Sequence, residues 1–150
     1  MPEDLQGPGP LLFIIATPIG NLADCSLRLA QTLSLVDGVL CEDTRQAAKL
    51  LNHLNIKTSL HSVHKFNEKS QIDHIKKRWH VGKKLALISD AGTPLISDPG
   101  ARVVSAAHEM GVAVRVIPGP CSAVVALSAS GFHGERFFFT GFLSAKESER

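Results

Sequence analysis

The sequence lacks the cysteine pattern of a disulfide-bonded or metal-binding protein. Its 150 residues include three cysteines, Cys25, Cys41 and Cys121, which are odd in number and far apart. No CxxC pair exists that would favour a zinc site or a redox motif. Cys41 and Cys121 lie near apolar runs, so we expect buried thiols rather than nucleophiles. This usage is typical of a reducing compartment, and we therefore expect a cytoplasmic protein.

Long hydrophobic runs are also missing. The apolar run at 11–16 is far too short to span a membrane, and acidic residues precede it where a secretory signal would carry a basic flank. We therefore expect neither a membrane span nor a signal peptide. Residues 1–10 contain two Gly-Pro pairs and predict a flexible lead-in to a single globular domain.

The motifs of common metal and nucleotide sites are absent as well. No GxGxxG follows the first apolar run and no Walker lysine is present, which argues against NAD and against a P-loop. His61 and His64 are close, but no cysteine or carboxylate completes a metal site at a diagnostic spacing. His108 and Glu109 lack the second histidine of a zincin helix, so we expect no metal.

Charge is present but unevenly distributed. The net charge is +2, yet residues 57–84 contain eight Lys and Arg against two acids, giving +6 there and −4 in the rest of the chain. Such a segment favours contact with phosphates. It is equally typical of a solvated helix face, and the sequence leaves the two interpretations open.

Strand and helix patterns alternate along the chain. Repeated strand–helix units predict an α/β fold, a three-layer domain with a mostly parallel five-stranded sheet and helices on its faces. The predicted strands are 11–16, 38–41, 58–63, 85–89 and 112–117, with 136–140 as the start of a sixth. The predicted helices are 27–35, 45–54, 70–80, 101–110 and 122–129.

The segment Ser89–Gly100 is the most informative part of the sequence. It follows a strand pattern and precedes a helix pattern, with Asp98 as a predicted N-cap and Pro99 as a predicted first helical residue. Ligands of open α/β sheets bind at the carboxyl ends of strands, and long loops of fixed shape are usually functional. We expect this loop to contact a small molecule, the alternative being an ordinary turn between strand and helix.

Three other strands end in loops of similar character, at residues 16–22, 42–45 and 118–123. In a parallel sheet these loops lie on the same rim. Gly20, Gly92 and Gly119 allow close approach of a ligand to the backbone, and the prolines reduce the cost of ordering the loops. A ligand held by backbone groups, a carboxylate and apolar contacts fits this rim. Adenosyl compounds have that character, although composition does not select one.

Four motifs carry a family resemblance. The motifs are ATPIGNL at 16–22, CEDTR at 41–45, SDAGTPLISDPG at 89–100 and IPGP at 117–120. In this order and spacing they resemble the ribosomal RNA small-subunit methyltransferase I family, within the tetrapyrrole methylase superfamily. The resemblance covers residues 11–150.

The resemblance implies an enzyme that transfers methyl from S-adenosylmethionine to a ribose 2′-hydroxyl. The implied target is a cytidine in the decoding region of small-subunit rRNA within the 30S subunit. It also implies a cytoplasmic homodimer of two-domain subunits, with the cofactor between the domains. Residues 11–140 would then be the N-terminal domain of the tetrapyrrole methylase fold. Residues 141–150 would begin the linker to a C-terminal domain that this chain lacks, so we expect weak or no catalysis by the chain alone.

The resemblance also assigns a set of cofactor-binding residues to the strand-end loops. They are Pro18, Ile19, Gly20, Asp90, Ala91, Gly92, Thr93, Pro94, Gly119, Ser122 and Ala123. Asp90 to Thr93 would meet the ribose and methionine portions of the cofactor. Cys121 stands where the family often has a smaller residue, so local packing there is expected to differ.

The candidate catalytic residues are Glu42, Asp43 and Arg45. A ribose hydroxyl is a poor nucleophile, so either carboxylate would serve as its base or orient the ribose, and Arg45 would hold a phosphate. The alternative is a helix N-terminus capped by Asp43 or Thr44. Two other functions stay open: a relative that methylates a tetrapyrrole or other small molecule, and a non-catalytic module that docks on rRNA.

Overall fold

The computed structural model describes residues 7–144 and residue 146, and it contains the predicted strand–helix alternation. The five strands are β1 Leu11–Ile15, β2 Gly38–Cys41, β3 Leu60–Ser62, β4 Lys84–Ile88 and β5 Ala113–Ile117. The helices are α1 Leu27–Leu35, α2 Thr44–His53, α3 Glu68–His80, α4 Ala101–Glu109 and α5 Ser122–Ser130, with a 3₁₀ helix at Leu22–Asp24. The ends differ from the predicted ones by a residue or two, as helix and strand ends commonly do.

The strands form one parallel sheet in the order β3-β2-β4-β1-β5. The chain leaves β1 toward β2 and β3, returns to β4, and continues to β5 on the far side of β1. The connections after β1 and β4 therefore run in opposite directions from adjacent strands. Such a reversal opens a crevice at the carboxyl ends of the two strands, where ligands of α/β sheets bind.

Helices cover both faces of the sheet, so the predicted three-layer α/β fold is confirmed. Along β1 the side chains alternate: Phe13 packs with α1 and α2, whereas Ile14 packs with α3 and α4. All five residues of β1 are buried, as expected for a strand with helices on both sides. Burying a side chain such as Phe13 stabilises the fold by roughly 2–3 kcal/mol.

The start of α4 differs from the prediction. Gly100, with φ +125°, is the N-cap, and the helix begins at Ala101, so Asp98 does not cap it and Pro99 lies outside it. The reason is tertiary, because the backbone N–H of Arg102 donates to Oε1 of Glu68 on α3 at 2.8 Å. A neighbouring helix thus supplies the acceptor that the local sequence was expected to supply.

The predicted sixth strand at 136–140 is wrong. These residues are neither helix nor strand, and Phe138 is 89% exposed. A strand needs a hydrogen-bonded neighbour, and within residues 7–144 the pattern of phenylalanines finds none.

The chain ends carry little regular structure where they are described. Residues 7–10 and 141–144 lie outside helices and strands, while the first part of the predicted lead-in, residues 1–6, lies outside the described residues. Over the described part of the chain, no helix is long and apolar enough to cross a membrane.

Candidate functional site

Hydrogen bonds join the loops at the carboxyl ends of β1, β4 and β5. Thr17 and Gly92 form an antiparallel bridge, with N–H to O distances of 2.9 and 3.1 Å in the two directions. The hydroxyl of Thr17 donates to the carbonyl of Ser89 at 3.1 Å, and the hydroxyl of Thr93 donates to the carbonyl of Pro120 at 3.0 Å. The rim at the chain reversal is therefore held in one arrangement.

A fourth loop joins this rim through Asp90. The backbone N–H of Asp43, which follows β2, donates to Oδ1 of Asp90 at 3.2 Å. The carboxylate of Asp43 accepts from the backbone N–H of Arg45 at 2.8 Å and caps α2, so Asp43 rather than Thr44 is the N-cap. It also accepts from Nε and Nη2 of Arg45, at 3.1 and 2.8 Å. These hydrogen bonds lower the pKa of Asp43 to about 2.

An acidic cavity of about 340 Å³ lies at the carboxyl end of β4. Its walls include three carboxylates and the start of α5, and among its lining residues there is no lysine or arginine. The lining residues are Glu42, Asp90, Ala91, Gly92, Thr93, Ile96, Asp98, Cys121, Ser122 and Phe142. We call this space the acidic cavity.

The carboxylates of the acidic cavity influence one another. Partial burial raises the pKa of Glu42, and the negative charges of Asp90 and Asp98 raise it further. Burial and the charge of Asp90 likewise raise the pKa of Asp98. The protein thus concentrates negative charge here without a compensating cation among the lining residues, a distribution suited to a ligand with positive charge and hydroxyl donors.

A second cavity of about 490 Å³ adjoins the first, on the side of β2 and β3. It differs in chemistry because cationic and aromatic side chains line it. The lining residues are Glu42, Asp43, Thr44, Arg45, Ser62, His64, Lys65, Phe66 and Asp90. Glu42 and Asp90 line both cavities. We call this space the basic-aromatic cavity.

The structure brings most of the predicted cofactor residues to this rim. Asp90, Ala91, Gly92, Thr93 and Ser122 line the acidic cavity. Their grouping follows from the parallel sheet, which places the ends of β4 and β5 on either side of β1.

The loop after β1 lies beside the acidic cavity rather than in its wall. Pro18 and Gly20 line a smaller neighbouring cavity of about 230 Å³ that includes Asp90. Ile19 packs over Gly92, since a Cβ placed on Gly92 would lie 3.3 Å from Cγ2 of Ile19.

Three further predicted residues line none of these three cavities. Pro94 is buried, and Ala123 is half-buried on α5. Gly119 approaches Ala16, the residue that follows β1, so closely that an added Cβ would lie 3.0 Å from Cβ of Ala16. For Gly119 the structure therefore indicates a packing role between neighbouring strand ends.

Sequence reasoning missed the loop after β3. His64, Lys65 and Phe66 line the basic-aromatic cavity. The candidate loops predicted from the sequence follow the other four strands. The signal was available, because in a parallel sheet the carboxyl end of β3 lies on the same rim as the others. The missed lining residues of the acidic cavity are Ile96, Asp98, Cys121 and Phe142.

The two cysteines expected to be buried differ. Cys41 is fully buried, and burial together with the charges of Asp90 and Asp43 raises its pKa to about 11. Cys121 is half-buried and lines the acidic cavity, so the prediction was right for Cys41 and wrong for Cys121.

The basic segment 57–84 is not a uniform phosphate-binding surface. Arg78 contacts the imidazole of His61, and burial and the charge of Arg78 lower the pKa of His61. Nζ of Lys83 pairs with Oδ1 of Asp37 at 2.8 Å. Part of the positive charge of the segment is therefore used in contacts within the protein. Lys65 is the cation of this segment that reaches the basic-aromatic cavity.

Known proteins of similar sequence match nearly the whole length of this chain. A Vibrio cholerae protein named Ribosomal RNA small subunit methyltransferase I is 46% identical over 141 residues, which are 94% of this chain and 49% of that protein. The Xylella fastidiosa protein of the same name is 48% identical over 146 residues, or 97% of this chain and 53% of that protein. The chain spans about half the length of the curated relatives it matches.

A solved structure and a family profile both match this chain. The solved uroporphyrin-III-C-methyltransferase from Thermus thermophilus superposes with a TM-score of 0.61 at 24% identity, covering 83% of this chain and 54% of that one. This likeness supports the fold. The sequence profile of the Tetrapyrrole (Corrin/Porphyrin) Methylases matches residues 11–150. The chain therefore belongs to the tetrapyrrole (corrin/porphyrin) methylase family.

Proposed function

We propose that this chain is the S-adenosylmethionine-binding part of an rRNA methyltransferase. The proposed reaction is methylation of the ribose 2′-hydroxyl of a cytidine in the decoding region of small-subunit rRNA. The observation that carries the proposal is the meeting of two cavities of opposite chemistry at Glu42 and Asp90. The names of the Vibrio cholerae and Xylella fastidiosa relatives support the choice of rRNA as substrate.

The acidic cavity suits the cofactor. Its volume of about 340 Å³ lies in the range of small-molecule sites. Carboxylates at Asp90 and Asp98 complement a sulfonium and accept hydrogen bonds from ribose hydroxyls. The same carboxylates disfavour a phosphate-bearing cofactor, since no lysine or arginine lines the cavity to neutralise a phosphate.

Glu42 is the proposed base. S-adenosylmethionine supplies a methyl group that is already activated for transfer. Glu42 lies where the two cavities meet, and its raised pKa makes it a better proton acceptor than an ordinary carboxylate. Asp43 is less suited, because Arg45 engages its carboxylate and lowers its pKa. In this assignment Glu42 takes the hydroxyl proton as the methyl group is transferred, and Asp43 orients Arg45.

The remaining parts of the proposal concern the whole protein. We propose that residues 141–150 lead toward a second domain that completes the cofactor site, since the relatives are about twice as long as this chain. Methyl transfer would then be weak or absent in the chain alone. We also propose that the whole protein is a cytoplasmic homodimer that acts on the 30S subunit.

A calorimetric titration with S-adenosylmethionine tests the cofactor assignment, on this chain and on a chain extended by the proposed second domain. We expect Asp90→Ala to weaken binding about tenfold or more, because it removes a charge-assisted acceptor from the cavity wall. Asp73→Ala is the matched control, since Asp73 is an exposed carboxylate on α3 outside both cavities. Unchanged affinity in Asp90→Ala would refute the assignment.

Transfer of labelled methyl to purified small ribosomal subunits tests the reaction. We expect transfer by the chain extended by the proposed second domain, and loss of transfer in its Glu42→Gln variant with cofactor affinity retained. Transfer to a small molecule but not to rRNA would instead favour a relative with another substrate. RNA binding without any cofactor binding would favour a docking module.

A further inference from the structure

The loop that follows β3 leaves an aromatic side chain almost fully exposed. Phe66 is 93% exposed, although burying a phenylalanine is normally favourable. Its ring lies edge-on to the imidazole of His64, with ring centroids 6.1 Å apart. The two rings thus form a small aromatic surface beside the basic-aromatic cavity.

Hydrogen bonds hold residues 64–67 in one shape. The side chain of Asn67 accepts from the backbone N–H of His64 at 2.7 Å and donates to the carbonyl of Ser62 at 3.0 Å. The backbone N–H of Phe66 donates to Nδ1 of His64 at 3.2 Å. The loop therefore presents Phe66 at a fixed place, which lowers the entropy cost of binding against its ring.

The position of the loop relates it to the proposed reaction. The hydroxyl of Ser62, at the end of β3, donates to the carbonyl of Glu42 at 3.2 Å. The aromatic surface is thereby fixed to the backbone of the proposed base. Lys65 and Arg45 line the same cavity, and the side chain of Arg45 is 87% exposed. An exposed aromatic ring in the same cavity as two cations is a combination that proteins use for single-stranded nucleic acid, with bases stacked on rings and phosphates near cations.

We propose that Phe66 stacks on a base of single-stranded RNA and so positions the nucleotide whose ribose faces Glu42. Lys65 and Arg45 contact the flanking phosphates. This inference rests on the proposed function and adds to it a substrate-positioning residue outside the cofactor site.

Binding of a short single-stranded oligoribonucleotide tests the proposal. The probe contains a cytidine next to a fluorescent purine analogue, whose emission changes on stacking. We expect Phe66→Ala to raise Kd about tenfold and to remove the emission change. We expect Phe66→Trp to retain both, because tryptophan offers a larger stacking face. Phe66→Leu keeps apolar bulk without an aromatic face and should resemble Phe66→Ala.

Two controls make the result specific. Phe138→Ala removes an equally exposed phenylalanine that lines none of the cavities described above, and RNA affinity should be unchanged. Titration of Phe66→Ala with S-adenosylmethionine should give wild-type affinity, which separates this proposal from the cofactor assignment that Asp90→Ala tests. Wild-type RNA affinity in Phe66→Ala would overturn the proposal, as would an equal loss in Phe138→Ala. Absence of RNA binding by the unsubstituted protein would overturn it too.

Discussion

Thr17 and Gly92 exchange both backbone hydrogen bonds across the crevice where the chain reverses direction. Thr17 is 2% exposed, and its hydroxyl secures the carbonyl of Ser89 on the same side. Gly92 has φ +84°, a conformation that residues with a Cβ rarely adopt. The bridge therefore joins the loops that follow β1 and β4 rigidly. Asp90 and Thr93, which line the acidic cavity, lie close to Gly92 in the second of these loops.

Replacing Gly92 by alanine should destabilise the protein more than replacing a glycine with similar backbone geometry elsewhere. Positive φ alone costs alanine roughly 1–2 kcal/mol. At Gly92 an added Cβ would also lie 3.3 Å from Ile19 and 3.6 Å from the carbonyl of Pro120. Gly82 is the matched control, because its φ is +77° and open space surrounds it. Urea unfolding of Gly92→Ala and Gly82→Ala measures the difference. Equal losses in the free energy of unfolding would mean that the bridge between Thr17 and Gly92 tolerates the methyl group.

Methyl transfer should fall as pH is lowered through the pKa of Glu42. The base form is the carboxylate, and burial and the neighbouring carboxylates of Asp90 and Asp98 raise its pKa. The acidic limb of the rate profile should therefore lie above the ordinary range of a glutamate. We expect Glu42→Gln to lower kcat about a hundredfold or more and to remove this limb. A Glu42→Gln enzyme that keeps the limb would assign the base to another group.

Replacing Asp98 by asparagine should stabilise the protein slightly at neutral pH. The pKa of Asp98 is raised in the folded state by burial and by Asp90, so the folded protein binds its proton more tightly than the unfolded chain does. The charge thus disfavours folding above that pKa, and the disadvantage disappears as pH falls through it. Because the side chain is partly exposed, we expect roughly 0.5 kcal/mol or less.

Thermal unfolding of Asp98→Asn and the wild type at neutral and acidic pH measures this effect. Asp24→Asn, at an exposed carboxylate of the 3₁₀ helix, is the control. The stabilities of Asp98→Asn and wild type should converge in acid. A stability difference that widens toward acidic pH would contradict the conclusion that the charge of Asp98 disfavours folding.

Removing the Glu68 acceptor should weaken α4. Glu68 is 8% exposed and receives the backbone N–H of Arg102 at 2.8 Å. Loss of a helix-capping acceptor costs about 1 kcal/mol. Glu68→Ala should therefore lower the urea midpoint, whereas Glu68→Gln, which keeps a carbonyl acceptor, should lie near the wild type. Equal midpoints for the two variants would show that the contact contributes little.

Local patterns predicted the elements of this fold well. The apolar run at 11–16 predicted a strand, and the structure has one at Leu11–Ile15 with all five residues buried. The glycines after α3 and α4, Gly82 and Gly111, have the positive φ that is typical past a helix end. Asp43 was correctly included among the predicted caps of α2. These predictions held because each depends on neighbours in sequence.

Some predictions that depended on residues distant in sequence were wrong. The side-chain acceptor at the start of α4 comes from Glu68, more than thirty residues earlier in the chain. The phenylalanines at 136–140 have a strand-like composition but no neighbouring strand within the described residues. Phe66 was not among the candidate residues, because its proposed role depends on its exposure in a cavity that Glu42 also lines, which a sequence pattern does not reveal.

The sequence by itself determined the α/β fold, the family and the rim on which the candidate loops lie, since hydrophobic periodicity and loop motifs are local properties of the chain. Only the tertiary structure decided that Glu42 and Asp90 lie between an acidic and a basic-aromatic cavity. It also decided that Arg45 engages Asp43 and that burial and nearby carboxylates raise the pKa of Glu42, the two observations behind the proposed base. The physical reason is that burial, mutual charge effects and cavity shape depend on residues brought together from separate strand ends, and these distances exist only once the sheet has formed.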